Sequence, residues 1–269
     1  MHAFQNRAQQ NLRAGIDARI VLQERDLKLL QALSTLRIID RNQAALIGNF
    51  RSTTRVNARL HKLLQAGLLK RFFFVSALGG KKAVYSLSKK GGAMAGVLCK
   101  PLNRPADSFL IGDRFTAHQL SISDVYCAAI KRPLQVNSCV QHWRNFVKPL
   151  SKSASVIPDA YFEIHADDTM KPVFLEVDLG TEALKVWNAK IEGYLQLARS
   201  GEFEKEFGAN RFSVLVVASS EQRMQSLRTH IRKTTPKLFY FSTLQKVVTE
   251  GFWKDIWLRP EGTQSQLLI

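Results

Sequence analysis

Apolar residues recur at helical spacing through the first quarter of the chain. A first stripe follows Glu24 and consists of Leu27, Leu29, Leu30 and Leu33. A second, shorter helix is predicted from the cluster of Ile38, Ile39, Ala44, Ala45 and Leu46. The third helix, STTRVNARLHKLLQAG, has apolar residues at i, i+4, i+7 and i+8, namely Val56, Leu60, Leu63 and Leu64. Ser52 or Thr53 can cap its start and Gly67 can close its end.

A different pattern follows the third helix. The stretch LLKRFFFVSALGGKKAVYSLS holds two β-rich runs around a Gly-Gly-Lys-Lys turn at 79–82, which is typical of a β-hairpin. Three helices followed by such a hairpin predict an N-terminal winged helix-turn-helix domain over residues 22–99. Residues 1–21 are polar and rich in Gln, Asn and Arg, and we expect them to form a flexible N-terminal segment.

The predicted winged helix has a basic side. Four basic residues lie opposite the apolar stripe of the third helix and two lie at the hairpin tip: Arg51, Arg55, Arg59, Lys62, Lys81 and Lys82. In such domains the third helix enters the major groove of DNA, and the hairpin tip contacts phosphate groups. The alternative is a winged helix that contacts proteins, with the basic residues as a solvated face.

A second domain is predicted after a linker. Residues 100–113, KPLNRPADSFLIGD, are rich in Pro, Asp and Gly, as linkers commonly are. From 114 to 269 the periodicity predicts the order helix, three strands, helix, strand, helix, strand. This order indicates a mixed sheet flanked by helices, and the expected fold class is α/β (α+β).

The charge of the chain points to its partner. The 269 residues include 39 Lys and Arg against 22 Asp and Glu, a net charge of +17. A protein this basic is suited to a polyanion, and double-stranded DNA is the first candidate.

Other classes of protein fit the sequence less well. No apolar run approaches the roughly 20 residues that a membrane-spanning helix needs, so no membrane insertion is expected. The N-terminus lacks the apolar core of a signal peptide. Cys99, Cys127 and Cys139 show no CxxC spacing, which disfavours a disulfide framework and a cysteine zinc site. We therefore expect a cytoplasmic protein.

Two predicted strands of the second domain carry carboxylates. Asp159 follows Pro158 at the start of one strand, while Glu176 and Asp178 lie 17 and 19 positions later, on one face of the next strand. The three side chains can meet if the strands form a hairpin. Mg²⁺ and Mn²⁺ prefer oxygen ligands, and either ion can polarise a phosphate and activate water for phosphodiester cleavage. We therefore predict an Mg²⁺ or Mn²⁺ site at these three carboxylates.

The helix after these strands adds two charged candidates. Lys190 lies on the flank of the apolar stripe that faces the sheet, so its ammonium group can reach the sheet end, whereas Lys185 points away. A cation there can stabilise negative charge on a phosphate. Glu182 lies at the helix N-terminus, where the helix dipole favours its charge. The alternative is a structural cluster in which the carboxylates pair with Lys and Arg.

These residues resemble a known nuclease pattern. Pro158-Asp159 followed by Glu176-x-Asp178, within this order of strands and helices, resembles the PD-(D/E)XK nuclease superfamily. The resemblance implies a restriction-endonuclease-like domain that cleaves DNA with a divalent metal. The usual pattern ends in Glu-x-Lys, and this chain departs from it because Asp178 stands at the lysine position. Some members carry the lysine on the following helix, which would be Lys190 here.

A narrower resemblance includes the helix. FLEVDLGTE, followed by Lys190 and Tyr194, with a PDA at 158–160 and a preceding winged helix, looks like the replication-relaxation family. The resemblance extends over roughly residues 22–242. That family includes the MOBC-type relaxases of mobilisable plasmids, which nick DNA at a transfer origin. It implies relaxosome or replication proteins as further partners.

Two functions remain open from the sequence. The first is a metal-dependent DNA nickase or endonuclease of relaxase type, acting at a plasmid or mobile-element origin. The second is a non-catalytic winged-helix regulator or replication accessory with a degenerate nuclease-like domain. A catalytic-tyrosine variant of the first would use Tyr161 or Tyr194, although each is more simply a packing residue. Cutting both strands would require two sites, which a homodimer would supply.

The six histidines show no metal-binding spacing. No HxH or HxxxH pair is present, which argues against a three-histidine metal site and against zinc hydrolysis. His118 and His142 fall in predicted core elements, and we expect both to be hydrogen-bonded structural residues.

Overall fold

The computed structural model describes residues 20–75, 80–97, 102, 105–111, 114–131, 137–150, 154–263 and 268. The chain divides into two compact units between Ser123 and Asp124. Most of the predicted flexible segment 1–21 and Gly79 of the predicted hairpin turn lie outside the described residues. Lys81 and Lys82, predicted at the tip of that turn, belong to a strand instead. Each unit is described separately below.

Helices and short strands alternate in the first unit. In chain order the elements are α1 (Glu24–Leu36), β1 (Ile38–Asp40), α2 (Arg41–Ile47), α3 (Thr53–Gln65), β2 (Leu69–Val75), β3 (Lys81–Leu87), α4 (Lys89–Ala95), β4 (Phe109–Ile111) and the start of α5 (Arg114–Ile130). The Ser52 hydroxyl accepts a hydrogen bond from Arg55 N and caps α3 as expected. The resulting order, three helices followed by a β-hairpin, is the one predicted.

The second predicted helix begins later than expected. Ile38 and Ile39 form β1, which pairs with β3, and the helix starts only after Asp40. Asp40 accepts a hydrogen bond from Gln43 N, while the Gln43 side chain accepts one from Asp40 N. This capping box fixes the helix start, and the β-branched isoleucines before it fit the pleated sheet better than a helix.

The first sheet has the order β1-β3-β2-β4. The β2–β3 hairpin pairs Leu69 with Leu87 and Val75 with Lys81. Strand β4 pairs in parallel with β2, so part of the segment predicted as a linker belongs to this sheet. Leu120 on α5 packs with three buried sheet residues, Ile38, Phe72 and Val84. The first part of α5 therefore belongs to the first unit.

The second unit has the predicted order of elements with short helices added. After the end of α5 come β5 (Ser138–Asn145), β6 (Ala160–Ala166), β7 (Thr169–Asp178), α6 (Leu184–Arg199), α7 (Glu202–Phe207), β8 (Ser213–Ala218), α8 (Glu221–Arg232), β9 (Phe239–Thr243), α9 (Leu244–Lys246) and a π-helical turn (Val247–Gly251). The five strands form one mixed sheet in sequential order. Strands β5, β6 and β7 pair antiparallel, while β7, β8 and β9 pair parallel. The fold is therefore mixed α and β.

Helices α6 and α8 cover one face of this sheet. Trp187, Ile191, Tyr194 and Leu197 of α6 are buried against Phe174, Val214 and Val216, together with Met224, Leu227 and Ile231 of α8. Burying a large side chain stabilises the fold by about 1.5–3 kcal/mol. The core therefore fixes the rotation of α6 about its axis, and with it the position of Lys190. Among the described residues, no helix is both long enough and apolar enough to span a membrane.

Candidate active site

The β6–β7 hairpin brings Asp159 and Glu176 to the same end of the second sheet. Ala160 pairs with Leu175, and Asp159 N donates to the Leu175 carbonyl at 3.1 Å. The Asp159 carboxylate in turn accepts a hydrogen bond from Val177 N at 2.7 Å. Asp159 is thus held across the strand from Glu176, as expected from a hairpin.

Glu176 is buried and has two side-chain partners. Only 1% of its surface is exposed. Its Oε2 lies 3.0 Å from Lys190 Nζ, and its Oε1 accepts a hydrogen bond from the Tyr194 hydroxyl at 2.6 Å. Burial raises the pKa of Glu176 to about 7, against the attraction of Lys190, and the nearby charge of Asp159 also raises it. The site therefore contains a carboxyl group that changes charge near neutral pH.

This raised pKa predicts how stability varies with pH. A carboxyl whose pKa is higher in the folded than in the unfolded protein stabilises the fold below the unfolded value, and this contribution is lost as pH rises through about 7. We expect the metal-free protein to lose about 2 kcal/mol of unfolding free energy between pH 5 and pH 8 from this residue. Urea unfolding in EDTA at several pH values measures it. Glu176→Gln should flatten the profile, and an unchanged slope would contradict the assignment.

Lys190 joins two carboxylates. Besides Glu176, its Nζ lies 2.8 Å from Glu182 Oε2, and it lies 5.0 Å from the centroid of the Trp187 ring. Its side chain is 20% exposed. Burial lowers the pKa of Lys190, but the two carboxylates outweigh this effect and raise it above its ordinary value. Lys190 is therefore a fixed positive charge, at the sheet end where the helix pattern predicts it.

Asp178 has a different set of partners. Arg223 of α8 donates to both of its carboxylate oxygens at 2.8 Å, Trp187 Nε1 donates at 2.8 Å, and Gly180 N donates at 2.7 Å. Burial raises the pKa of Asp178, but these hydrogen bonds lower it below its ordinary value. Arg223 also donates to the Glu182 carbonyl at 2.6 Å. Asp178 therefore ties β7 to α6 and α8.

The predicted metal set of three carboxylates stays a prediction, and its members differ in how their oxygens are engaged. Ligand atoms of Asp159, Glu176 and Asp178 do not all lie within 4.8 Å of one another, and Asp178 already has four donors. Asp159 and Glu176 retain the hard oxygen donors that suit Mg²⁺ or Mn²⁺. Asp159 and Glu176 thus have the ligand chemistry for such an ion, whereas the two oxygens of Asp178 accept four hydrogen bonds from the protein.

The two tyrosines of the alternative route are packing residues. Tyr161 and Tyr194 are both buried in the core. Burial raises the pKa of each hydroxyl above its ordinary value, and nearby carboxylates add to the effect. Neither hydroxyl is thus poised to ionise as a nucleophile. Tyr194 instead holds Glu176, a role that the sequence pattern does not reveal.

The predicted DNA-contacting residues divide into two groups. Arg51, Arg55 and Lys62 are exposed on or next to α3. Arg59 differs, because its guanidinium group forms an ion pair with buried Asp26 and donates to the Val21 carbonyl at 2.7 Å. It thereby joins α3 to α1 and is not free for a phosphate.

The hairpin residues line a small groove in the first unit. Lys81 and Lys82 are exposed, and Lys82 Nζ lies 2.8 Å from Asp40 Oδ2. Lys81 also lies over the Phe73 ring. A groove of about 280 Å³ is lined by both lysines and by Asp40, Arg41, Asn42, Asn57, Ala83 and Tyr85. The hairpin lysines and the α3 residue Asn57 therefore border one polar groove.

Sequence patterns miss three contributions to these sites. Arg223 lies 45 positions after Asp178, and no local motif marks their pairing. Tyr194 is considered from sequence as a core residue or a catalytic tyrosine, and its hydrogen bond to Glu176 is not predicted. His142 and His165 meet around Glu163, although their spacing along the chain gives no metal signature. The one available signal is Glu163-x-His165, which places both side chains on one face of a strand.

Comparison with known proteins identifies a family. No match is found among curated proteins or among solved structures. The model of the replication-relaxation family matches residues 30–211. This match covers more than half of the chain and includes both the basic helix and the site carboxylates. The chain therefore belongs to the replication-relaxation family.

Proposed function

We propose that this protein is a metal-dependent DNA endonuclease of relaxase type, which nicks DNA at an origin on a plasmid or mobile element. The observation that carries the proposal is the meeting of Asp159, Glu176 and Lys190 at one end of the second sheet. Two carboxylates beside a fixed ammonium group are suited to phosphodiester cleavage with a divalent ion. Membership of the replication-relaxation family supports a role in DNA replication or relaxation.

The proposal includes an interpretation of the two units. We interpret the first as a winged helix, because α1, α2 and α3 precede the β2–β3 hairpin in the order of such domains. We interpret the second as restriction-endonuclease-like, with carboxylates on a β-hairpin of a mixed sheet and the lysine on the next helix. Double-stranded DNA would be bound by the first unit and cleaved by the second.

Asp159 and Glu176 would hold Mg²⁺ or Mn²⁺. When bound, such an ion supplies a Lewis acid for the phosphate and lowers the pKa of a coordinated water. The protein groups around it have separate tasks. Val177 N and Tyr194 orient the two carboxylates. The Lys190 ammonium group, held by Glu176, would stabilise the negative charge that a phosphate bound beside it develops in the transition state.

One observation favours the non-catalytic alternative. Both oxygens of Glu176 already have protein partners, and Asp178 has four donors. Carboxylates engaged in this way are also found in structural ion-pair networks. In that case the protein would be a DNA-binding regulator or replication accessory with a degenerate nuclease-like domain.

Nicking of supercoiled plasmid separates these functions. We expect the purified protein to convert plasmid carrying a cognate origin to the open-circular form in Mg²⁺ or Mn²⁺ and not in EDTA. Asp159→Ala and Glu176→Ala should abolish conversion while DNA binding, measured by fluorescence anisotropy, is retained. If the folded protein and both variants bind DNA and none cuts it with either metal, the non-catalytic regulator is the correct function. We further propose that the protein acts together with relaxosome or replication proteins and that it forms a homodimer. Analytical sedimentation tests the homodimer.

DNA binding by α3 gives a separate expectation. Arg51 and Arg55 are exposed, whereas Arg59 is paired with Asp26. Because each phosphate contact releases counterions, replacing Arg51 or Arg55 with Ala should reduce the slope of log affinity against log salt by about 1. Arg59→Ala should leave that slope unchanged and lower the thermal midpoint instead. Anisotropy titrations across salt concentrations measure both, and equal slopes for all three variants and wild type would exclude α3 as the DNA-binding helix.

A further inference from the structure

A second group of ligand-type side chains lies on the edge of the second unit's sheet, between β5 and β6. Among the residues that the structure describes, His142, Glu163 and His165 are the only three metal-ligand side chains whose donor atoms all lie within 4.8 Å of one another. They lie on the edge strand β5 and its neighbour β6, separate from the Asp159–Glu176 group.

A β-bulge brings His142 into this group. Gln141 pairs with Glu163, so regular alternation would turn the next residue, His142, toward the opposite face. The register shifts between Gln141 and Arg144, and His142 takes a left-handed backbone conformation with φ of 52°. A bulge re-aims side chains, and a non-glycine residue held at positive φ costs on the order of 1–3 kcal/mol. The result is that His142 faces Glu163.

One carboxylate oxygen faces both imidazole rings. Glu163 Oε2 lies 2.6 Å from His142 Nδ1 and 2.9 Å from His165 Nε2, and Oε1 accepts a hydrogen bond from the Tyr161 hydroxyl at 3.0 Å. Burial raises the pKa of Glu163, but hydrogen bonds from the two histidines and Tyr161 lower it below its ordinary value. The two ring nitrogens and the carboxylate therefore converge on one point.

The donor set is that of a transition-metal site. Without an ion, each ring can donate one N–H to Glu163 Oε2 in the matching neutral tautomer. With an ion, the same two ring nitrogens and the carboxylate oxygen would each offer it a lone pair. Two imidazoles and one carboxylate are the protein ligands of many zinc sites that keep a fourth position open. The Tyr161 hydroxyl would orient the Glu163 carboxylate through its hydrogen bond to Oε1 without contacting the ion, as hydrogen-bond partners of metal ligands commonly do.

We propose that His142, Glu163 and His165 bind one divalent transition-metal ion, with Zn²⁺ the best match, and that this ion fastens the edge strand β5 to β6. The exposed fractions of the side chains are 67%, 14% and 32% respectively, so the ion would be reached from solvent and would keep an open coordination position. Imidazole ligands favour Zn²⁺ over Mg²⁺. The inference is independent of the proposed nuclease activity, whose carboxylate ligands select hard ions.

Calorimetric titration of tag-free, metal-stripped full-length protein with ZnCl₂ tests the site. We expect one Zn²⁺ per chain with little competition from excess Mg²⁺, visible absorption bands on Co²⁺ addition, and a higher thermal midpoint with Zn²⁺. His142→Asn and Glu163→Gln should each weaken Zn²⁺ binding about tenfold or more. Asn tolerates the left-handed backbone at 142, so the first variant keeps the fold, which circular dichroism checks.

Matched controls make the test decisive. His61→Asn removes an exposed histidine of α3, and Asp159→Asn/Glu176→Gln removes the other carboxylate pair; both should bind Zn²⁺ like the wild type. The proposal is wrong if wild type binds no Zn²⁺, if His142→Asn and Glu163→Gln bind it as tightly as wild type, or if the Asp159→Asn/Glu176→Gln variant loses it.

Discussion

Lys190→Ala should slow the proposed plasmid nicking about 100- to 1,000-fold at saturating Mg²⁺, the effect expected for loss of one group that stabilises transition-state charge. The ammonium group contacts both Glu176 and Glu182, so its loss removes the fixed positive charge next to the proposed metal-binding carboxylate. Lys185→Ala provides the matched control, because this exposed lysine lies on the same helix.

The measurement is the rate of open-circle formation at several Mg²⁺ concentrations. A fall in the limiting rate for Lys190→Ala, with Lys185→Ala unchanged, supports a role for Lys190 in chemistry. If extra Mg²⁺ restores the rate in full, Lys190 acts only on metal affinity. If Lys190→Ala nicks as fast as wild type, the assignment of Lys190 is wrong.

Asp178→Ala should destabilise the protein by about 3–5 kcal/mol, because it leaves the Arg223 guanidinium group without its buried partner. Arg223 is only 16% exposed and Asp178 only 1% exposed, so water cannot readily replace either partner. The indole N–H of Trp187 would also lose its acceptor. Urea unfolding in EDTA measures the effect, since metal binding is then excluded.

Two controls accompany this measurement. Asp168→Ala removes an exposed carboxylate from the β6–β7 turn and should change stability by less than about 0.5 kcal/mol. Asp178→Leu combined with Arg223→Met should recover much of the loss, because an apolar pair leaves no unpaired charge. If Asp178→Ala unfolds at the same urea concentration as wild type, the ion pair does not stabilise the fold, and the assignment of a structural role to Asp178 is wrong.

Local sequence patterns predict the order of the helices and strands, and they predict the meeting of side chains that lie on consecutive elements. Asp159 and Glu176 belong to one hairpin, and Lys190 lies on the next helix at an angle that the apolar stripe determines. For such residues, strand alternation and helix periodicity suffice. The strand at Ile38–Asp40 was missed because its partner β3 lies more than 40 residues away and supplies the pairing that overrides helical propensity.

Partners distant in the chain are a different case. The pairing of Asp178 with Arg223 and of Arg59 with Asp26 depends on how helices pack in three dimensions. The sequence predicts Asp178 as a metal ligand and Arg59 as a DNA contact from charge alone, because it does not show the protein partner that each of them has. The sequence predicts His142 in a core element. A β-bulge instead exposes its side chain to solvent beside Glu163, and no local residue pattern marks this bulge.

The candidate site residues lie close together in the sequence, because they belong to one β-hairpin and the helix that follows it. Asp159, Glu176, Glu182 and Lys190 all fall within one continuous segment of 32 residues, 159–190. The site can therefore be lost or inherited as a unit through changes to this segment, while the rest of the second unit supplies support such as Arg223. If the proposed nicking activity resides in these residues, this segment alone should distinguish relatives that nick DNA from relatives that do not, and a nicking relative without these residues would contradict that rule.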